Sequence, residues 1–298
     1  VTGAGGQVGV DLVDILNGVM PLGADALFQP DQRPIDAEEF EVLGLTHSEL
    51  DVSDQGAVLA SLRATRPDVV VHLAAYTAVD RAEEDAVTCY YVNEQGTASM
   101  SLAANDVGAH FIAISTDYVF DGMKGDSYVE DDVTRPLNIY GASKRAGEEQ
   151  CRTQDTIVRT SWVMGVRGKN VIHAIAKKAL SNDVVRFVDD QTGTVTASSD
   201  LARSLVTLVR ERPGGMWHVA NTGATTWFDI ADYVGSQLGR GDEFATPIST
   251  GELSPPPLAV RPARSDLDTT KFSSMWSALP PWREAVSRLV HDRAKYGE

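Results

Sequence analysis

A tyrosine and a lysine stand four residues apart in the stretch NIYGASKRAGE, at Tyr140 and Lys144. On a helix that spacing puts both on one face. An ammonium beside a phenol favours the phenolate, so the pair is expected to lower the tyrosine's pKa from about 10 and ready it to protonate a developing alkoxide. A second hydroxyl group lies upstream. The apolar run HFIAI at 110–114 ends in Ser115, Thr116, Asp117 and Tyr118. A strand that only had to turn would more often use Gly, Pro or Asn there. A Thr116 hydroxyl at a strand end can hydrogen-bond a carbonyl and help hold its developing negative charge. Ser115 would act less directly. Thr116, Tyr140 and Lys144 are therefore the candidate catalytic residues.

Something must bring these groups together. The runs EVLGLT (41–46), DVVVHLA (68–74), HFIAIS (110–115) and TIVRTS (156–161) read as buried strands. DQGAVLASLRAT, EDAVTCYYVNEQGTASMSLAANDVG and NIYGASKRAGEEQCRT read as the helices between them. Alternation of this kind predicts an α/β fold, a Rossmann-type doubly wound parallel sheet with its ligand at the carboxyl ends of the strands. The rhythm loosens after about residue 165. Helical patterns near 170–181, 199–212, 227–238 and 281–296 are separated by short extended pieces and by the Pro-rich stretch at 249–265. The expected organisation is a dinucleotide-binding domain over 1–165 and a smaller C-terminal lobe over 166–298, mainly substrate-binding, with some segments returning to the first domain.

The chain opens VTGAGGQVGVDLVDIL, and Gly3, Gly6 and Gly9 form G-x-x-G-x-x-G. The first glycine permits a tight turn, the second lets a pyrophosphate approach the backbone, and the third lets the following helix pack closely. That helix, expected from about Val10, offers its N-terminal N–H groups to phosphates. Gly3, Gly6, Gln7 and Val8 are thus candidate cofactor contacts. Such a motif needs a strand before it, and only Val1 and Thr2 stand there, so the native polypeptide is expected to continue upstream, by a few residues or by another, fused domain. An acid at the end of the second strand would hold the adenosine ribose and favour NAD. Here Thr46 and His47 occupy that place, which leans towards NADPH, with NADH the other candidate. Asp51 and Val52 are expected near the adenine, and Ala74, Ala75 and Tyr76 along the cofactor, with Tyr140 and Lys144 at its nicotinamide end.

Composition excludes other classes. The 298 residues carry a net charge of −16, which argues against a nucleic-acid groove. No apolar run approaches the ~20 residues of a membrane span. Cys89 and Cys151 have no metal-ligand spacing and read as reduced packing residues of a cytoplasmic protein. The acidic stretch at 21–40 reads as an enlarged loop without an assigned role.

With these motifs in place, the chain resembles the extended short-chain dehydrogenase/reductase family. Within it the likeness is to the branch that reduces dTDP-4-dehydrorhamnose. GAGGQVG, AAYTAVDRAE, STDYVFDG, PLNIYGASKRAGE, RTSWVMG, DDQTGTVT, TTWFDIA and VRPARSDLDTTKF fall in the expected order along nearly the whole chain. The resemblance implies hydride transfer from NADPH or NADH to C4 of dTDP-4-dehydro-β-L-rhamnose, giving dTDP-β-L-rhamnose. It also implies that Trp162 packs on the sugar ring, that Thr77, Val79, Asp117 and Tyr118 contact the nucleotide sugar, and that Arg261, with Arg264 beside it in sequence, meets the diphosphate. Some relatives form Mg²⁺-linked dimers through paired carboxylates. Asp11 could supply one, but Ser199 stands where a second is sought, so no metal is expected; a homodimer stays open. A sugar-nucleotide dehydratase would need a second carboxylate after the threonine, where Asp117 is followed by Tyr118; a C4 epimerase has no specific support. A non-catalytic NADP-binding regulatory subunit is the remaining alternative.

Overall fold

The computed structural model describes the chain except residues 22–23, 25–29, 32, 37, 169, 182, 242 and 297–298, with 292–296 described by backbone alone. The predicted loop at 21–40 lies partly outside the described residues.

The centre is a parallel sheet of four strands, β1 (Val69–His72), β2 (His110–Thr116), β3 (Thr156–Thr160) and β4 (Gly215–His218), side by side in that order. Thr2 extends it, bridging His72 on one side and Leu45 on the other. Only Leu45 of the expected strand at 41–46 pairs. The Leu43 carbonyl also accepts the Val1 amino group at 2.8 Å.

Parallel strands covered on both faces are apolar on both, and β2 shows how the two faces sort. Ile112 packs into one layer with Val71 and Val158, beneath Leu12, Ile15 and Leu16 of helix α1 (Gln7–Leu16). Phe111 and Ala113 point the other way, onto Val58 and Leu62 of α2 (Gln55–Thr65) and Met100, Ala103 and Ala104 of α3 (Gly96–Val107). The helix α4 (Ile139–Glu149) carries the Tyr–Lys pair, and α5 (Ser198–Glu211) lies against α1 through Leu201, Leu205 and Leu208. Both α5 and β4 thus return from the C-terminal half to the sheet. A second core joins the helices Val171–Leu180, Trp227–Gln237 and Trp282–Tyr296 through Ile175, Ile230, Val234 and Leu289. Short strands Val185–Val188 and Ala245–Ile248 pair beside it.

No helix among the described residues is long and apolar enough to cross a membrane. Both cysteines are free thiols.

Candidate active site

A cavity of about 1080 Å³ opens at the carboxyl ends of β1–β3. Every residue proposed from the sequence lines it except Arg261 and Arg264. The glycine turn forms part of its wall. α1 begins at Gln7, earlier than the expected Val10, and its N-cap residue Gly6 provides no side-chain cap. The first N–H groups of α1 are therefore not taken by a side-chain cap. A Cβ on Gly9 would lie 2.2 Å from the Gly3 carbonyl oxygen, so only glycine lets the helix start this close to the turn, where Gly3 itself has φ +67°. This cradle fits a dinucleotide pyrophosphate.

Farther along the cavity, Thr46 and His47 line the wall. Thr46 gives both its N–H (2.8 Å) and its hydroxyl (2.6 Å) to Glu49. Asp51 accepts the N–H and hydroxyl of Ser53 at 3.0 and 2.6 Å. Ala74, Ala75, Tyr76 and Thr77 follow β1. Tyr76 is held by Asn93, whose amide accepts its N–H at 2.9 Å, donates to its carbonyl at 3.1 Å and donates to Ser143 of α4 at 2.9 Å. Asn93 lies in a π-helical turn, Tyr91–Gln95, that widens the helix leading into α3. Such turns concentrate at functional sites. Asn93 carries no signal in the sequence, because helical periodicity does not show an inserted residue.

The catalytic corner is where β2 meets α4. Thr116 ends β2 and its Oγ1 accepts the Tyr118 N–H at 3.2 Å, starting a tight turn Asp117–Val119. Asn138 caps α4, accepting the Gly141 N–H at 2.8 Å. The turn packs directly on α4 because position 141 has no side chain: a Cβ there would stand 2.1 Å from the Tyr118 carbonyl oxygen. That contact sets Thr116, whose hydroxyl donates to the Asp117 carboxylate at 3.0 Å, on the same cavity wall as Tyr140. The Tyr118 and Tyr140 rings meet edge to face at 6.0 Å. Lys144 is 6% exposed, and none of the described residues accepts a hydrogen bond from it.

The electrostatics differ from the sequence expectation. Burial pushes the Tyr140 phenol up, with the Thr116 hydrogen bond pulling the other way. Burial also lowers Lys144 to about 8, with Glu148 opposing. Burial dominates both shifts, so the protein alone leaves Tyr140 a protonated phenol. Asp117 is pushed up to about 7 by burial, against hydrogen bonds from Ser265 and Thr116.

Trp162 has φ +41° and stacks on Trp227 at 4.1 Å between ring centroids. Trp227 lines the main cavity and also a second groove of about 540 Å³, walled by Asp80, Arg186, Phe187, Gln191, Pro255–Pro257 and Arg261. Arg261 is there, paired with Asp80 at 2.7 Å and donating to the Ala259 carbonyl at 3.1 Å. Val79 lines the main cavity. Arg264 lines neither and binds Asp266 at 2.7 Å. Asp11 is 3% exposed and hydrogen-bonded to Ser198, with Ser199 buried beside it, so this carboxylate faces α5.

A sequence model of the RmlD substrate binding domain family matches residues 1–295. The chain belongs to this family. It is 34% identical to the spore coat polysaccharide biosynthesis protein SpsK of Bacillus subtilis, over 99% of this chain and 97% of that one. It is 32% identical to a dTDP-4-dehydrorhamnose reductase of Aggregatibacter actinomycetemcomitans, over 97% of each. The crystal structure of the dTDP-4-dehydrorhamnose reductase of Bacillus anthracis in complex with NADP superposes with a TM-score of 0.86 at 31% identity, covering 98% of this chain and 97% of that one.

Proposed function

We propose that this protein is an NAD(P)H-dependent oxidoreductase that reduces the C4 ketone of dTDP-4-dehydro-β-L-rhamnose to give dTDP-β-L-rhamnose. The observation that carries the reading is the convergence of Thr116, Tyr140 and Lys144 on the cavity that also holds the glycine turn. The relatives named above include dTDP-4-dehydrorhamnose reductases, one of them with NADP bound.

The turn at Gly3–Gly6 and the N–H groups of Gln7 and Val8 would hold the pyrophosphate of NADPH, or of NADH in competition. Asp51 and Val52 lie at its adenine end, with Ala74, Ala75 and Tyr76 along its length. When bound, it supplies the hydride that C4 receives. Thr116 hydrogen-bonds the C4 oxygen, and Tyr140 donates the proton that converts the developing alkoxide to a hydroxyl. The raised pKa of Tyr140 keeps that proton in place until the alkoxide forms. Lys144 anchors the nicotinamide ribose and offsets the phenolate left behind. Trp162 covers the sugar, while Asp117, Tyr118, Thr77 and Val79 line its pocket. The nucleotide end enters the groove at Arg261, whose guanidinium suits a diphosphate.

The test uses NADPH carrying deuterium at the transferable position. The reductase reading requires the label at C4 of a dTDP-6-deoxyhexose, seen by NMR and mass spectrometry. Loss of water without net cofactor oxidation would indicate a dehydratase. Tight cofactor binding without turnover would indicate the regulatory subunit.

A further inference from the structure

A buried ion pair sits directly behind the catalytic corner, outside every role assigned so far. Glu148 lies one helical turn after Lys144 and is 7% exposed; Arg159 of β3 is 4% exposed. Arg159 donates to both carboxylate oxygens of Glu148, through Nε and Nη2, at 2.8 Å each. Ser115 donates its hydroxyl to the same carboxylate at 2.5 Å. Ser115 and Arg159 are direct partners in the β2–β3 register, and the next pair along is Thr116 with Thr160. The remaining Arg159 surface is fully used: Nη1 donates to the Glu130 carbonyl at 3.1 Å, and the guanidinium lies 5.1 Å over the Phe120 ring.

We infer that Glu148, clamped by Arg159 and Ser115, is a positioning residue of this site: it ties the strand end bearing Thr116 to the helix face bearing Tyr140 and Lys144, and sets a negative charge one helical turn from Lys144. The geometry supports both parts. Ser115 is the residue before Thr116, so the carboxylate of α4 fixes β2 one residue from the oxyanion partner. Residues four apart on a helix are neighbours, so Glu148 stands on the face of α4 that bears Lys144. The other titratable groups acting on Lys144 are Cys89 and Cys151, whose thiols burial keeps protonated, and His72 of β1, which burial keeps neutral. Glu148 is thus the one carboxylate among them, and Arg159 sets how much of its field Lys144 receives.

An ion pair kept only for packing predicts something different from one that tunes Lys144. Many buried pairs can be replaced without functional loss. Tuning, in contrast, gives the two partners opposite signs. Glu148→Gln removes the negative charge and leaves Arg159 unneutralised, so Lys144 loses its proton at lower pH. Arg159→Gln frees the Glu148 charge and moves Lys144 the other way.

The electrostatic half does not require turnover, because Lys144 faces the cofactor cavity. The pH dependence of NADPH affinity, followed by tryptophan fluorescence, is measured beside that of kcat/KM. The alkaline limb is expected to move to lower pH by on the order of half a unit or more in Glu148→Gln and to higher pH in Arg159→Gln. Glu148→Asp keeps the charge but shortens the tie, so it should keep the wild-type limb while kcat falls several-fold. If Glu148→Gln does not fold, Glu148→Asp and Arg159→Gln still decide the matter. A limb that stays in place in Arg159→Gln, or that moves in Glu148→Asp, overturns the inference. The rests-on-turnover part concerns only kcat: a wild-type protein that binds NADPH but reduces no dTDP-sugar would sink the reductase reading, while the affinity limbs would still decide the role of Glu148 towards Lys144.

Discussion

Gly141→Ala isolates the contact that sets Thr116 against Tyr140. The added methyl would stand 2.1 Å from the Tyr118 carbonyl oxygen and 2.9 Å from its carbon. Both are backbone atoms, so no side chain can swing aside. The turn and α4 must separate by more than ~1 Å to reach ordinary contact. A misplacement of about 1 Å in a catalytic constellation costs on the order of 100-fold in rate. The same overpacking should lower stability by about 1–3 kcal/mol. The glycine turn takes no part in this contact, so NADPH affinity should stay within a few-fold. The assay is steady-state NADPH oxidation with the dTDP-sugar, with cofactor titration and denaturant melts on the same preparation. Gly241→Ala, where a methyl meets nothing within 4 Å, is the control and should be near neutral. A folded Gly141→Ala protein with activity within threefold of wild type would refute the argument that this backbone contact places the catalytic groups.

Three further outcomes follow from the same geometry. Asp117 has a folded pKa of about 7, above its unfolded value of 3.8, so its contribution is fully present below pH 4 and is lost as pH rises through 7. Asp117→Asn should therefore gain stability relative to wild type between pH 4 and 8, by a few kcal/mol at most, about 1.4 per pKa unit; parallel urea-melt profiles across that range would contradict this. Trp227→Ala removes the ring stacked on Trp162, so the exciton signal of the indole pair in circular dichroism should vanish and KM for the dTDP-sugar should rise roughly 10-fold, by the logic of a lost aromatic wall. Arg261→Ala should raise KM for the nucleotide sugar about 10-fold or more with kcat little changed, and a change in kcat alone would place Arg261 outside the diphosphate groove.

What the sequence made legible was what local pattern controls. Strands buried on both faces announce themselves as unbroken apolar runs, and β1, β2 and β3 stood where those runs were. The glycine spacing and the Tyr140–Lys144 interval are short-range and carried their geometry with them. Long-range features were not legible. Of the apolar run at 41–46, Leu45 alone forms a bridge among the described residues. Asn93 depends on a one-residue helical bulge, Trp227 on a stack with a residue 65 positions earlier in the chain, and Asp80 on a partner, Arg261, in the C-terminal half. The direction of the Tyr140 shift was also misjudged, because spacing reveals a charge nearby but not how much water burial removes.

The most direct test of the central claim is to supply the purified protein with NADPH and dTDP-4-dehydro-β-L-rhamnose, generated in place by a separate epimerase, and to identify the sugar. The account predicts stoichiometric NADPH oxidation with dTDP-β-L-rhamnose as product, and a loss on the order of 100-fold or more in Tyr140→Phe. NADPH bound but not consumed, or consumption undiminished in Tyr140→Phe, would contradict it.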